Sequence, residues 1–461
     1  MPKKYHINVA NTPNRFPIVG RSGIVDWGEG CLKCAVCVKW ECVYDAYRKR
    51  TFSPEIMADT IDQICKDCFR CVQGCPKRLI HKTLNPEWEA LGDDVFTPEI
   101  ITATWNQAET GKIPVSGAGY GGAYSGAGFD SMWTDMSEIV RPTRDGIHGR
   151  EYISTVIDVG RRHARLRFDA EGRLESPSVP SVRVPLPIVF DLLPFGDLSP
   201  AVWKAMALAA TRLGTRMIVP EAEARTLEDH REALVPFLGT VTSDVKWAAR
   251  FTMVELEDSA DVLDKSAALK QANPDLIVCI RLEARSANVP RALELAENGA
   301  EVIHLVADAR GYEPGVESSV HLKDVIRSFH AGLVEKGLRD EVTFMAGGGI
   351  AMAEHVVKAM LCGANLVTVD VPLLISLECR VCRRCIEGGG DCPVEISRIA
   401  PAWGAARMVN LMGAWHNQLL EMMGAMGIRE ARRLRGEQGR VMFFEDLEAD
   451  TFGKLFGQAD A

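Results

Sequence analysis

The sequence predicts an α/β protein centred on a TIM-like (β/α)8 barrel, with a cysteine-rich module ahead of the barrel and a helical extension after it. Three observations carry that reading. Eight short apolar runs alternate with amphipathic stretches between residues 183 and 378. Eight of the 14 cysteines fall in the first eighty residues, and four more crowd into residues 379–392. Helical spacing of apolar residues then resumes after residue 400.

The eight runs are LPIVFDLL (from 186), TRMIVP (215), VPFLGTV (235), FTMVEL (251), LIVCIRL (276), EVIHLV (301), VTFMAG (342) and NLVTVDV (365). They lack polar alternation, as expected of parallel strands covered on both faces. Between them AVWKAMALAATRLG, DVLDKSAALKQA, PRALELAENGA and HLKDVIRSFHAGLVEKG keep a helical period. The third and fourth repeats are short, and an open doubly wound sheet is the alternative arrangement. Just upstream, RLRFDAEGRLES predicts a hairpin turning at Glu171–Gly172. Beyond the barrel, Met408, Met412, Trp415, Leu419, Met422 and Met426 share one helical face, which suits packing on the barrel or a partner subunit.

A length of 461 residues bounds the chain to about three domains. The boundaries predicted are a cysteine-rich module over 1–86, a glycine-rich connection over 87–182, the barrel with its cysteine loop over 183–400, and the extension over 401–461. A net charge of -9 argues against a general nucleic-acid binder, which needs a basic surface. Arg429, Arg432, Arg433 and Arg435 read as a solvated helix face. The amino terminus has no apolar core behind its charges, and no run reaches about 18 apolar residues. The chain is therefore expected to be cytoplasmic, where cysteines serve as metal ligands in preference to disulfides.

The segment CKDCFRCVQGCP (65–76) has the spacing C-x2-C-x2-C-x3-C-P of bacterial ferredoxins. CLKCAVCVKWEC (31–42) repeats it with one extra residue before the last cysteine. In two-cluster ferredoxins the fourth cysteine of each run ligates the other cluster. This assigns Cys31, Cys34, Cys37 and Cys75 to one [4Fe-4S] cluster, and Cys65, Cys68, Cys71 and Cys42 to the second. Structural zinc is the alternative, but it prefers paired knuckles to triplets.

Two glycine-rich stretches need separate treatment. Gly117-x-Gly119-x-x-Gly122 matches a dinucleotide-binding pattern, yet no strand precedes it and no helical period follows, so it reads as a turn-rich connection. Gly347, Gly348 and Gly349 instead lie between a strand and a helix, where bare N–H groups and the helix dipole suit a phosphate. A tight βα turn is the alternative there. His304, Cys279 and Cys362 read as core residues, with a catalytic base the alternative for the histidine.

The glycine turn, the following LCGANLVTVDVPLL and the loop CRVCRRCIEGGGDCPVEI together resemble the FMN-binding domain of glutamate synthases. The eight-cysteine module ahead of the barrel resembles the archaeal-type subunit of that family. PFGDLS (194–199) is similar to the turn after the family's first strand and brings Gly196 into the flavin site; Arg281 stands where the family aims a lysine at the flavin. The resemblance implies FMN at the barrel mouth and an iron–sulfur cluster on Cys379, Cys385 and Cys392, with Cys382 as a fourth ligand that favours [4Fe-4S] over [3Fe-4S]. It implies an oxidoreductase working with other redox subunits or ferredoxin, either as an electron-transfer subunit of a hetero-oligomer or as a glutamate synthase served by a separate glutaminase subunit. Three features depart from the family: Ala351 and Met352 after the glycines, Asp370 after the last strand, and VELEDSADVL where the family has a loop rich in glycine, glutamine and lysine.

Overall fold

The computed structural model describes residues 5–25, 30–34, 36–44, 46, 65, 68–113, 126–135, 153–163, 166–175, 179–196, 198–239, 244–315, 320–386 and 391–453. The glycines 117, 119 and 122 lie outside these residues.

All eight apolar runs form strands of one closed parallel barrel. They are β1 (Ile188–Phe190), β2 (Met217–Pro220), β3 (Leu234–Phe237), β4 (Met253–Glu257), β5 (Ile277–Glu283), β6 (Val302–Val306), β7 (Thr343–Gly347) and β8 (Leu366–Val369). They pair in chain order, and β8 closes on β1 in the register Val367↔Ile188 and Val369↔Phe190. Closure rules out the open sheet. The Val, Ile and Leu side chains of β1 and β8 are at most 3% exposed, because the barrel interior covers one face and the helices the other.

The helices follow the predicted runs closely. α1 (Pro98–Thr110) precedes the barrel, and α2 (Pro200–Leu213), α3 (Val262–Ala272), α4 (Val289–Glu297), α5 (Leu322–Glu335) and α6 (Ala353–Cys362) surround it. The short repeats are real. One helical turn (Glu221–Ala224) and a 3-10 segment join β2 to β3, and among the described residues Val245–Ala248 is the one helix between β3 and β4. After β8 comes α7 (Val371–Ser376), then the cysteine loop, then α8 (Pro401–Ala425).

The methionine face of α8 is buried against the rest of the chain, with Met408, Met412 and Leu419 at 0% exposure. Arg407 on the same helix is also fully buried, and donates to the carbonyls of Ser376, Thr12 and Trp105. It ties the end of α7, the amino-terminal arm and α1 to one point. The upstream hairpin forms as expected, with Phe168 opposite Leu174 and Gly172 at φ 77°. The four arginines fall past the end of α8, where Arg432 pairs with Asp158 and Arg435 with Asp340. No helix among the described residues is long and apolar enough to cross a membrane.

Candidate functional site

The cysteine loop begins where α7 ends. Cys379 is 8% exposed, and burial, with Cys392, Cys382 and Cys385 beside it, pushes its thiol up to about 12. The amino-terminal module shows the same pattern. Burial and the neighbouring Cys71, Cys75 and Cys34 push the Cys37 thiol up to about 11. Cys37 thus has thiols of both runs around it. Thiols that oppose one another's ionisation are relieved by a cation, which displaces their protons.

The backbone around these cysteines is unusual. Seven non-glycine residues among those described have positive φ: Lys33, Phe69, Arg78, Glu378, Val381, Arg383 and Glu395. Each lies within three residues of a predicted cluster cysteine. Such turns cost about 1–3 kcal/mol each for a side chain that is not glycine. They also aim successive N–H groups into a concavity that suits an anionic cluster. Several N–H groups already point at sulfur: Ala46 N donates to Cys42 Sγ at 3.2 Å, Leu79 N to Cys75 Sγ at 3.4 Å, and Val381 N to Cys379 Sγ at 3.4 Å.

The arm at residues 15 and 16 clamps the carboxyl-terminal loop at both ends. Glu378 accepts from Arg15 N at 2.6 Å, Arg15 Nε at 2.9 Å and Phe16 N at 3.1 Å, while Arg15 also donates to the Val394 carbonyl at 2.5 Å. Arg383 donates to Asp93 at 2.7 Å. Sequence reasoning missed this clamp because its two sides are 363 residues apart.

The second site is the carboxyl-terminal mouth of the barrel, where β4, β5, β6 and β8 and the residue after β1 bring five polar side chains together. Arg281 donates to Asp191 Oδ1 at 2.8 Å and to Glu255 Oε2 at 3.2 Å. His304 Nδ1 faces Glu255 Oε1 at 2.6 Å, and its Nε2 faces Thr368 Oγ1 at 3.0 Å. The Thr368 hydroxyl donates to Asp191 Oδ2 at 2.8 Å. Burial alone would raise the Asp191 carboxyl, but Arg281 above all, with His304 and Thr368, holds it below the usual carboxylate range. His304 is thus a satisfied core histidine, but in a charged core.

The glycine turn is more crowded than a phosphate loop. A Cβ on Gly348 would lie 2.5 Å from the Ala307 carbonyl oxygen and 2.6 Å from that of Asp308. One on Gly349 would meet the backbone of Gly311 at 2.4 Å, and one on Gly347 would strike Thr368 Oγ1. These glycines permit close packing against the segment after β6, which is the tight-turn alternative. Gly196, at φ 120°, faces Leu198 and Leu374 of α7.

FMN was tested against this mouth at both of its ends. The Arg281 guanidinium, 17% exposed, fits an electron-rich ring, although two carboxylates already share its charge. The phosphate end does not fit the turn after β8. There Asp370 caps α7 with its own carboxyl, accepting from Val371 N at 2.6 Å. The carbonyl oxygens of Ala307 and Asp308 crowd the side of Gly348 where a Cβ would stand.

Burial, and next the nearby Asp191, raise the Asp370 carboxyl to about 7. Because the folded value lies above the unfolded one, the stabilisation is full at low pH and is lost as pH rises through about 7. Asp370→Asn keeps an acceptor for the cap without the charge. Its melting temperature should exceed that of the wild type at pH 8, by the equivalent of about 1–4 kcal/mol, and the gap should narrow below about pH 7 and close near about pH 4. Melts at the two pH values check this; a gap that does not depend on pH would contradict it.

Comparison with known proteins agrees with this architecture. The conserved region of glutamate synthases matches residues 248–429, a span that holds β4 to β8, the cysteine loop and α8. An archaeal-type glutamate synthase [NADPH] of Dehalococcoides mccartyi is 24% identical, over 88% of this chain and 92% of its own length. An archaeal glutamate synthase [NADPH] of Archaeoglobus fulgidus is 24% identical over 92% and 94%, and that of Methanocaldococcus jannaschii 23% over 96% and 95%. Among solved structures, a mutant flavocytochrome b2 with pyruvate bound is similar at 12% identity and a TM-score of 0.44, covering 72% of this chain and 83% of that one. The chain is thus similar to glutamate synthases, through the conserved region over residues 248–429 and through relatives that run nearly its whole length, and is an oxidoreductase.

Proposed function

We propose that the chain is an iron–sulfur subunit of a glutamate synthase-type redox complex, moving electrons between its amino-terminal cysteine module and the barrel mouth. One observation carries this reading. Cys379, Cys382, Cys385 and Cys392 gather at one end of α7, and the other end of that helix is capped by Asp370 at the mouth. The cysteine loop and the mouth are therefore joined by a helix of 6 residues.

In this reading Cys31, Cys34, Cys37 and Cys75 hold one [4Fe-4S] cluster and Cys65, Cys68, Cys71 and Cys42 the next. The four cysteines after α7 hold a third. Such clusters supply one-electron transfer at potentials tuned by N–H···S bonds and burial. The chain's own residues orient them: the arm at Arg15 fixes the third loop, and the left-handed turns direct N–H groups at the sulfurs. Arg281, whose side chain is 17% exposed, presents its charge to a ligand in the mouth. FMN bound there would supply the exchange between one-electron and two-electron transfer. Ferredoxin or other redox subunits are the partners this role requires.

The relatives' names favour a second reading, reduction of the imine of 2-oxoglutarate to glutamate with ammonia from a glutaminase subunit. The carboxyl of Asp370 and the paired state of Arg281 weigh against it. The test is anaerobic purification, with iron and acid-released flavin measured on one sample, followed by an assay with 2-oxoglutarate, ammonia and reduced methyl viologen as the electron donor. Iron for three clusters without glutamate formation is expected. Glutamate formation would replace the first reading by the second, and zinc in place of iron would overturn both.

A further inference from the structure

The two cysteine runs of the amino-terminal module keep part of their ligand set at the surface. Cys34 and Cys68, one from each run, are exposed. Large apolar side chains stand beside them in the open. Trp40 is 74% exposed, and Leu32, Val43 and Phe69 are exposed as well. Each of the four lies within two residues of a cysteine assigned to a cluster. The two runs face one another, since Cys37 has Cys71 and Cys75 beside it and Glu41 reaches Arg70 at 3.4 Å. Apolar side chains gathered in this way on a protein surface mark a place where another molecule sits.

The charge around them selects that molecule. Lys33, Arg70, Lys77 and Arg78 are exposed on the same two runs, where Glu41 is the one acid among the described residues. Residues 30–84 carry ten lysines and arginines against six acids, in a chain whose net charge is -9. The module is thus a basic surface on an acidic protein. The loop at 379–392 also exposes Cys382 and Cys385, but Ile386 is its one exposed large apolar side chain among the described residues, and its Arg383 is paired with Asp93.

We propose that the amino-terminal module docks a small acidic one-electron carrier protein of the ferredoxin type, steered by Lys33, Arg70, Lys77 and Arg78 and anchored on Trp40. The proposal rests on the reading of the module as an iron–sulfur conduit, and adds to it the partner and the side chains that hold it. In the step one electron passes between the cluster of the carrier and a cluster of the module. One is oxidised as the other is reduced, and no bond or proton is exchanged. The basic residues speed the encounter with an acidic partner. The tryptophan, once covered, slows its departure. Salt screens the first effect and spares the second.

The test uses the iron-loaded full chain under anaerobic conditions and an acidic plant-type [2Fe-2S] ferredoxin as probe. Calorimetry gives the affinity, and stopped-flow circular dichroism of the ferredoxin cluster follows the electron in the direction the two potentials allow. The double variant Lys33→Glu/Lys77→Glu should weaken binding and slow transfer by about 10²-fold at low salt, and lose most of the salt dependence of the wild type. Lys33→Arg/Lys77→Arg should retain both. Trp40→Ala should weaken binding by about 30-fold with its salt dependence unchanged. Reduction by methyl viologen, a small molecule that needs no docking surface, should be the same in every variant.

Wild-type affinity in the charge-reversed variant overturns the proposal, as does a loss caused by Arg384→Glu instead, which would move the docking to the other cysteine loop. Self-association of the chain that Trp40→Ala abolishes would give the patch to a second copy, and would overturn it too. Iron content and methyl viologen separate the two levels of failure. A chain without iron that methyl viologen cannot reduce sinks the conduit reading, whereas a loaded and reducible chain that ignores the ferredoxin sinks the docking surface alone.

Discussion

Cys385→Ser leaves a purified chain with about a third less iron than the wild type, and with both amino-terminal clusters intact. The argument starts from the loop. Cys379, Cys382, Cys385 and Cys392 lie together, and Glu378, Val381 and Arg383 take left-handed conformations to bring them there. A serine hydroxyl is a poor ligand for iron, so the cluster fails and its strained turns lose what holds them. The Arg15–Glu378 clamp and the Arg383–Asp93 pair limit the damage to the loop. Cys71→Ser is the counterpart: it removes a cluster of the amino-terminal module and leaves the carboxyl-terminal loop loaded. Iron counts and the low-temperature spin resonance of the reduced protein check both variants. Full iron in either one would refute the assignment of that cysteine.

Arg281→Met lowers the stability of the barrel by about 3–5 kcal/mol, because it leaves two buried carboxylates short of their shared cation. Asp191 and Glu255 have side chains 3% and 0% exposed, so water cannot replace the guanidinium. The pH dependence has a fixed sign. Burial raises the Asp191 carboxyl, and Arg281 is the largest influence holding it low. A depressed carboxyl contributes stability that is present above its unfolded value and is lost as pH falls through the folded one. Removing Arg281 therefore costs most at neutral pH, and the deficit shrinks once pH drops below about 4. Arg281→Lys should recover part of the loss, since it restores the charge without the fork that reaches both acids. Urea unfolding at the two pH values decides the matter; an equal deficit at both would show that lost packing is the cause.

The strands and the cysteines were legible for the same reason: both signals are local. A run such as LIVCIRL declares a buried strand within seven residues, and C-x2-C-x2-C declares a cluster loop within seven. The polar group at the barrel mouth is not local. Thr368 and Asp191 are 177 residues apart, and His304 and Glu255 49. Only the closed register of the barrel makes them neighbours. An arginine, a histidine and a glutamate on three successive strands were the available hint, since none would be buried alone. The glycine turn shows the opposite limit. Sequence displays its three glycines but not the carbonyls of Ala307 and Asp308 that crowd Gly348. The polar residue after β8 was visible as a departure, and its function as a helix cap needed the structure.

The amino-terminal module has a second core of its own, made of Cys71 and Ile80 with Cys37, Val38, Cys42, Val72 and Cys75 packed around them. Four of these seven are the predicted iron ligands. Among the described residues the apolar burial there is small, and in the proposed reading iron and sulfide would add to it. The barrel has no such dependence. Starved of iron or exposed to oxygen, the chain would keep a folded barrel and lose its electron entrance, so that the supply of metal decides whether a stable protein is also a wired one.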